Sequence, residues 1–241
     1  MVTASLELSG PDASRAYIEA AAPEHPSLLD PTHLLDSLFG VVNIPNVIWI
    51  DEDGIIVRPP EPGWPADPAI LRRATTPPSG TASGGEVNKD DPEAQKRRRL
   101  MELLGSGQDR AAYADAIRDW VSNGPDSPYR LTPDEVVATS QPRSKAASEA
   151  AAHFELGNHL WRDGQRDLAI RHFDTANGLQ PGNWTYKRQA WSLVGNERVG
   201  GERGRFTQGP LPGEEADWPF ESDFATDVGR LEPGQYYPKT L

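Results

Sequence analysis

The amino-acid sequence predicts an α/β part followed by an all-α part, α+β overall, and three observations indicate this order. Residues 1–60 alternate short apolar strands with helical segments, which is typical of an α/β fold. Residues 75–92 (TTPPSGTASGGEVNKDDP) have the composition of a linker, with almost nothing to bury. Beyond them, apolar residues recur at helical spacing. We therefore expect an α/β domain over residues 1–74 and a helical domain over residues 93–196.

The α/β domain is expected to begin with a strand, a helix, a short strand and a second helix. Val2–Leu8 alternates well enough for a strand, and Pro11 opens a helix that runs to about Ala22. Ser27–Asp30 suits a short strand, and Thr32–Phe39 is apolar at helical spacing before a glycine.

A β-hairpin is expected next. Val47–Ile50 is apolar and predicts a buried strand, Asp51–Gly54 (DEDG) has the residues of a tight turn, and Ile55–Val57 returns as the second strand. We expect the chain to leave the sheet over Pro59–Trp64. The two aspartates of the turn are a carboxylate pair, but Asp is common in turns for backbone reasons, so no catalytic role is assigned to them.

The second half of the chain is expected to be helical. Glu93–Leu104, Arg110–Val121 and Thr132–Val137 are predicted helices, the last with a Thr N-cap and a proline at its first position. Residues 150–183 have the 34-residue spacing of a tetratricopeptide repeat. The signature residues that fall at their expected offsets are Leu156, Gly157, Ala169, Phe173, Ala176 and Pro181.

This repeat has a physical rationale and two departures from the pattern. Small residues at 157 and 169 let two helices approach closely, and Phe173 fills the space between them. His153 stands where a large aromatic is usual, and Leu160 where Tyr is common. One unit cannot bury its own apolar faces, so neighbouring helices should cap it. The resemblance implies a scaffold or a surface for a protein or peptide partner.

Residues 197–241 form a third region, rich in Gly, Pro and acid. A disordered tail seldom contains many aromatics, so we expect this segment to lie along the helical domain as extended chain. Its aromatic residues are Phe206, Trp218, Phe220, Phe224, Tyr236 and Tyr237.

Composition and charge exclude several function classes. A net charge of −12 argues against nucleic acid or an anionic membrane surface as a partner. No cysteine is present, so this chain has no disulfide, thiolate metal site or thiol catalysis. With no membrane-length apolar stretch we expect a cytoplasmic location. His153, His159 and His172 do not share one helix face and are interpreted as surface or groove residues, and no catalytic residue, metal or cofactor is assigned.

Residues 40–54 (GVVNIPNVIWIDEDG) resemble a passage of the thioredoxin-like redoxins, the thiol-disulfide oxidoreductases and thiol peroxidases. The shared residues are Gly40, Val41, Pro45, Ile50, Asp51, Asp53 and Gly54. The resemblance covers about residues 1–60 and implies that Pro45 is a cis-proline facing a redox dithiol. It further implies that Ile44, Pro45 and Asn46 contact the substrate. Asn46 departs from the Thr that is usual after this proline.

The dithiol of that family lies before the strand predicted at Val2–Leu8, on a segment that this sequence does not contain. The family's first core strand would also be absent, which would leave a gap in the sheet. Three accounts are open: a truncated chain, including one that follows a selenocysteine codon taken as a stop; direct pairing of strands across the gap; or a strand supplied by a partner. Truncation is the account that we favour.

The family resemblance and the helical repeat together suggest two functions. The first is a thiol- or selenol-dependent redox protein whose catalytic segment lies outside this chain, with the helical repeat binding a partner or substrate. The alternative is a non-catalytic interaction scaffold built from a thioredoxin-like remnant and a tetratricopeptide unit.

Overall fold

A computed structural model describes residues 1–63, 92–104, 109–140, 142–198, 208–210, 213 and 215–241 of the chain. The strands are β1 Thr3–Ser5, β2 Ser27–Leu29, β3 Asn46–Ile50 and β4 Ile56–Pro62. The helices are α1 Pro11–Ala21, α2 Leu34–Phe39, α3 Pro92–Leu104, α4 Arg110–Asn123, α5 Pro133–Thr139, α6 Lys145–Arg162, α7 Arg166–Leu179, α8 Trp184–Arg198 and α9 Phe224–Gly229.

The chain divides into two compact units, and each of them is discontinuous in sequence. Unit 1 contains Met1–Val42 and Pro142–Phe224, and unit 2 contains Asn43–Gln141 and Ala225–Leu241. The domain boundaries expected from composition are continuous instead. They depend on the linker at 75–92, which lies outside the described residues apart from its last position, so these boundaries stay a prediction.

Unit 1 joins a two-stranded parallel sheet to the helices α6, α7 and α8. β1 pairs with β2 in parallel, with Ala4 opposite Leu28. The strand expected over Val2–Leu8 is therefore shorter than predicted. α6 begins after Ser144, whose hydroxyl accepts a hydrogen bond from the Ala147 N–H at 3.0 Å and so satisfies one of the free N–H groups of the first turn.

Segment 30–42 of unit 1 lies against these helices. Arg143 donates hydrogen bonds to the Ser37 carbonyl and hydroxyl, and the Thr185 N–H at the start of α8 donates to the Val42 carbonyl at 3.1 Å. The helical part of unit 1 thus packs on residues that the sequence assigned to a separate α/β domain.

Unit 2 contains the β-hairpin. β3 pairs with β4 in antiparallel register, with Asn46 opposite Pro62 and Trp49 opposite Arg58. The expectation that the chain leaves the sheet at Pro59 is wrong, because β4 continues to Pro62. Prolines are tolerated there because β4 pairs with β3 alone among the described strands, and an edge strand does not need every N–H for pairing.

The core of unit 2 is aromatic and lies on this hairpin. Trp49, Val57, Tyr113 and Ala116 form a buried cluster. Trp120 of α4 stacks on Trp49 with ring centroids 5.0 Å apart, which adds a favourable aromatic contact to the buried area.

The predicted mixture of strands and helices is confirmed at this coarse level. All described strands lie within residues 1–62, and the described residues from 92 onward are helical or irregular. α5 has the predicted cap: the Thr132 hydroxyl accepts from the Glu135 N–H, and the Glu135 carboxylate accepts from the Thr132 N–H at 2.8 Å. The thioredoxin-like and tetratricopeptide-like assignments stay predictions.

Candidate functional site

The predicted substrate-contacting residues, Ile44, Pro45 and Asn46, lie together at the entrance to β3 in unit 2. The Ile44–Pro45 peptide bond is cis. Ile44 is 38% exposed and Pro45 is also exposed, whereas Asn46 is half-buried. The Asn46 Oδ1 atom is buried and has no hydrogen-bond partner in the part of the chain that the structure describes.

Both backbone polar groups of Ile44 are engaged by side chains of the same unit. Its N–H donates to Oδ1 of Asn43 at 3.0 Å, and its carbonyl accepts from the Tyr237 hydroxyl at 2.8 Å. Asn43 is only 5% exposed, and its Nδ2 donates to the Tyr236 carbonyl at 2.8 Å. Asn43 and Ile44 are therefore linked to two successive residues of the segment that follows α9.

The far end of that segment is fixed by Arg58 of β4. The guanidinium donates to the Thr240 carbonyl at 3.1 Å and to the Tyr129 carbonyl at 3.0 Å. Glu61 holds it with two parallel hydrogen bonds, from Nε to Oε1 at 2.9 Å and from Nη2 to Oε2 at 2.8 Å. Leu241 packs against the Trp49 cluster.

Tyr113 connects this ion pair to the aromatic core. Its hydroxyl donates to the Glu61 carboxylate at 2.9 Å and accepts from the Trp49 indole N–H at 3.1 Å. Burial and the neighbouring Glu61 charge raise the pKa of Tyr113, so the phenol keeps its proton. The network supports the hairpin and leaves Tyr113 no role as a base.

Asp51 of the hairpin turn has the backbone role that the sequence predicts for the turn aspartates. The Asp51 carboxylate accepts from the N–H groups of Asp53 and Ile55, at 3.1 and 2.9 Å. Its other oxygen lies 3.5 Å from Arg130. These contacts account for Asp51 without a catalytic role.

A second polar cluster, in unit 1, is centred on His33. The imidazole is 1% exposed, with Nδ1 2.8 Å from Oε1 of Glu155 in α6 and Nε2 bonded to Oε1 of Gln189 in α8. The Gln189 amide is oriented by its own Nε2, which donates to the Leu6 carbonyl at 2.9 Å. His33 has a backbone φ of 53°, a left-handed conformation that is uncommon outside glycine.

Charges around His33 favour its protonated form. Burial lowers the pKa of His33, but the hydrogen bond to Glu155 and the charges of Asp36 and Glu155 outweigh it, and the net shift is upward from 6.5. The ring also meets Phe154 and Tyr186 edge to face, with centroids 4.9 and 6.1 Å away. The imidazole is thus held by both polar and aromatic contacts.

Asp36 of α2 is a buried carboxyl beside this cluster. It is 2% exposed, and among the described residues neither of its oxygens has a hydrogen bond of ordinary geometry. Burial raises its pKa to about 7, against the opposing effects of the His33 charge and the Ser37 N–H. The group therefore titrates near neutral pH instead of near pH 4.

The structure brings together two of the three histidines singled out in the sequence. The Nδ1 atoms of His153 and His172 lie 2.7 Å apart, with ring centroids 5.0 Å apart. The two rings therefore meet through these nitrogens, and one proton between them makes a hydrogen bond. His159 is exposed. The sequence missed this contact because it crosses from α6 to α7.

The packing of α6 on α7 agrees with the expectation that small residues at 157 and 169 let two helices approach closely. A Cβ at Gly157 would lie 2.6 Å from the Phe173 ring and 3.3 Å from the Ala169 carbonyl oxygen. Phe154, Ala169, Phe173 and Ala176 are fully or almost fully buried. Gly157 is needed here for the close approach of the two helices.

Metal sites, membrane-spanning helices and known relatives give no further lead to the function. Within the described ranges, no three His, Asp or Glu side chains are grouped so that they could hold a metal ion, and no helix has the length and apolar character needed to cross a membrane. No protein-family model, curated protein or solved structure matches the chain.

The sequence predicted substrate contacts for the residues at the start of β3, but it did not predict their hydrogen bonds to the end of the chain. Nothing local marks Asn43 or Tyr237, which are separated from their partners by 193 residues. His33, Glu155 and Gln189 were missed for the same reason. The aromatic content of residues 197–241 was the available signal, and it predicted extended chain along the helical domain. The described contacts of residues 236–240 are instead with Asn43, Ile44 and Arg58.

Proposed function

We propose that this chain belongs to a thioredoxin-like redox lineage, dependent on a thiol or a selenol, whose redox group lies on a segment outside this sequence. In this proposal Ile44, Pro45 and Asn46 form the wall of the site that faces the redox group, and the chain alone, with no cysteine, does not catalyse thiol exchange.

The observation that carries the proposal is the position of Pro45. It stands directly before β3, and β3 is followed by the Asp51–Gly54 turn and the antiparallel strand β4. This is the order of elements that the family resemblance implies, and it supports the proposal independently of any catalytic residue.

The small size of the two sheets also supports the proposed function. β1 pairs with β2 and β3 with β4, and the described residues add no further strand to either pair. Among the described residues, exposed large apolar side chains are concentrated in residues 1–55, and those outside this range are Val121, Val137, Leu156 and Leu168. Open edges and exposed apolar neighbours are what each of these small sheets would have if a central strand were missing. The two sheets lie in different compact units, so the support comes from each sheet by itself.

The test begins with the genomic DNA upstream of the Met1 codon. An in-frame coding stretch with Cys-x-x-Cys, or with UGA inside a Trp-rich motif, is expected. The extended protein should then reduce a low-molecular-weight disulfide or a peroxide, and replacement of its redox residue by Ser should abolish this activity. The 241-residue chain is the matched control and should be inactive. Upstream DNA without an open frame would overturn the proposal.

The alternative is a non-catalytic interaction scaffold, and one observation favours it. The helices α6 and α8 already hold segment 30–42 of the same chain, through the contacts of His33 with Glu155 and Gln189. In this alternative, contacts of the same kind on the helices would hold a segment of a partner protein. The scaffold function predicts that the purified 241-residue chain is monodisperse, with a rigid near-ultraviolet circular dichroism spectrum. Aggregation or a molten spectrum would count against it.

A further inference from the structure

Residues 236–241, which we call the strap, lie on the backbone that the proposed function assigns to substrate. The Tyr237 hydroxyl donates to the Ile44 carbonyl at 2.8 Å, and the Tyr236 carbonyl accepts from Nδ2 of Asn43 at 2.8 Å. Tyr236 itself is 2% exposed. The near end of the strap is therefore seated beside Pro45 in unit 2.

The strap is also anchored at its far end. The Thr240 carbonyl accepts from Arg58, whose guanidinium is fixed by Glu61, and Leu241 packs on the Trp49 cluster. Arg58 and Glu61 are 6% and 5% exposed. A segment held at both ends by buried groups excludes a competing chain better than a segment held at one point.

An extended polypeptide binds to a strand end chiefly through main-chain hydrogen bonds. Pro45 has no N–H, so the nearest donor is the N–H of Ile44, and that group is already bonded to Oδ1 of Asn43 at 3.0 Å. The nearest acceptor, the Ile44 carbonyl, is bonded to Tyr237. A second chain could pair with both groups only by displacing Tyr237 of the strap and the Asn43 side chain, which is itself hydrogen-bonded to Tyr236.

We infer that the strap closes the Ile44–Pro45–Asn46 backbone to extended polypeptides, so that the redox site serves small substrates, low-molecular-weight disulfides or peroxides. This inference rests on the proposed function and names its substrate class. A small molecule needs no strand pairing, and the exposed Ile44 and Pro45 side chains still offer it an apolar wall.

The test uses the 241-residue chain and a probe that cannot exchange thiols, fluorescein-labelled S-carboxymethylated insulin B chain. Fluorescence anisotropy should detect no saturable binding to the wild-type chain at 100-fold excess of protein over probe. Tyr237→Phe removes only the hydroxyl, and removal of residues 236–241 takes away the strap. Both variants should bind the probe, with affinity at least tenfold above that of the wild type. Tyr17→Phe, at an exposed tyrosine of unit 1, is the matched control and should behave as the wild type.

Amide hydrogen exchange shows whether each variant has lost the strap contact and has otherwise kept its fold. Exchange at residues 236–241 should rise at least tenfold in Tyr237→Phe, with no change in α4. If the wild-type chain binds the probe as tightly as the variants do, the inference is overturned. It is also overturned if no variant binds although exchange reports a released strap. The proposed function fails on a different measurement, the upstream reading frame, so the two failures are distinguishable.

Discussion

The Nδ1 atom of His33 lies 2.8 Å from Oε1 of Glu155, and this contact is one of those that raise the pKa of the imidazole. The Gln189 amide has its Nε2 on the Leu6 carbonyl, so the atom that it presents to His33 is an oxygen. Both ring nitrogens therefore face acceptors, and two hydrogen bonds can form together with an ionised Glu155 only if both nitrogens carry protons. The arrangement therefore favours the imidazolium form of His33, in line with its raised pKa.

Stability should fall as pH rises from about 4 to 8, the reverse of ordinary acid unfolding. Asp36 has a folded pKa of about 7 and His33 a folded pKa above 6.5, so the native state holds more protons than the unfolded state through this range. Unfolding free energy therefore decreases with pH, by a few kcal/mol for a shift as large as that of Asp36. Urea unfolding at pH 5 and pH 8 measures this slope.

Asp36→Asn should flatten that slope between pH 4 and 7, because it removes the titrating carboxyl and keeps its shape. Glu52→Asn is the matched control at an exposed acid of the hairpin turn and should leave the slope unchanged. An unaltered pH dependence in Asp36→Asn would show that the buried carboxyl is already ionised in the folded protein.

His33→Ala should destabilise unit 1 by about 2–4 kcal/mol, because it removes a side chain that is 1% exposed and leaves the half-buried Glu155 carboxylate and Gln189 amide without their donor. His159→Ala, on the exposed face of α6, should change stability by less than about 0.5 kcal/mol. Chemical denaturation followed by far-ultraviolet circular dichroism gives both values. Equal losses in the two variants would contradict a structural role for the His33 contacts.

Gly157→Ala should destabilise the α6–α7 pair by about 1–3 kcal/mol, since its Cβ would overlap the Phe173 ring. Gly178→Ala, in α7, is the matched control. Apart from its own helix, no described residue has an atom within 4 Å of the added Cβ, so the change should be neutral or stabilise the helix by up to about 1 kcal/mol. Thermal unfolding separates the two variants. A stable Gly157→Ala protein would mean that the helices do not pack this closely.

Glu61→Gln should cost unit 2 about 3 kcal/mol, because it leaves the buried Arg58 charge without its carboxylate. Trp49 and Trp120 lie at this network, so their fluorescence reports on it. A shifted emission spectrum with a lower unfolding midpoint is expected. Glu52→Gln serves as the control, and a loss of stability there as large as in Glu61→Gln would count against the ion pair as the cause.

Local signals in the sequence predicted most helices, strands and turns, but they did not predict how these elements pack together. The Thr132 cap, the Asp51 turn and the Gly157 contact depend on residues close in sequence or on a repeating pattern, and all were predicted. β4 is longer than expected because an edge strand tolerates prolines, whose missing N–H groups would interrupt the pairing of a central strand.

The candidate site was predicted only in part, for a physical reason. Hydrogen bonds such as that from Tyr237 to Ile44 form between groups that are ordinary in composition and distant in sequence. Asp36 is a carboxylic acid, a group that is seldom buried, yet it is 2% exposed. Long-range packing decides such cases, and no local pattern encodes it.

The segments of the two compact units alternate along the chain, and this limits which parts of the gene can be exchanged by recombination. Unit 1 needs residues from both Met1–Val42 and Pro142–Phe224, and unit 2 needs residues from both Asn43–Gln141 and Ala225–Leu241. No single crossover can move either unit into another gene intact. Recombination should therefore transmit the pair together, and a spliced or shuffled half would arrive without part of its own core.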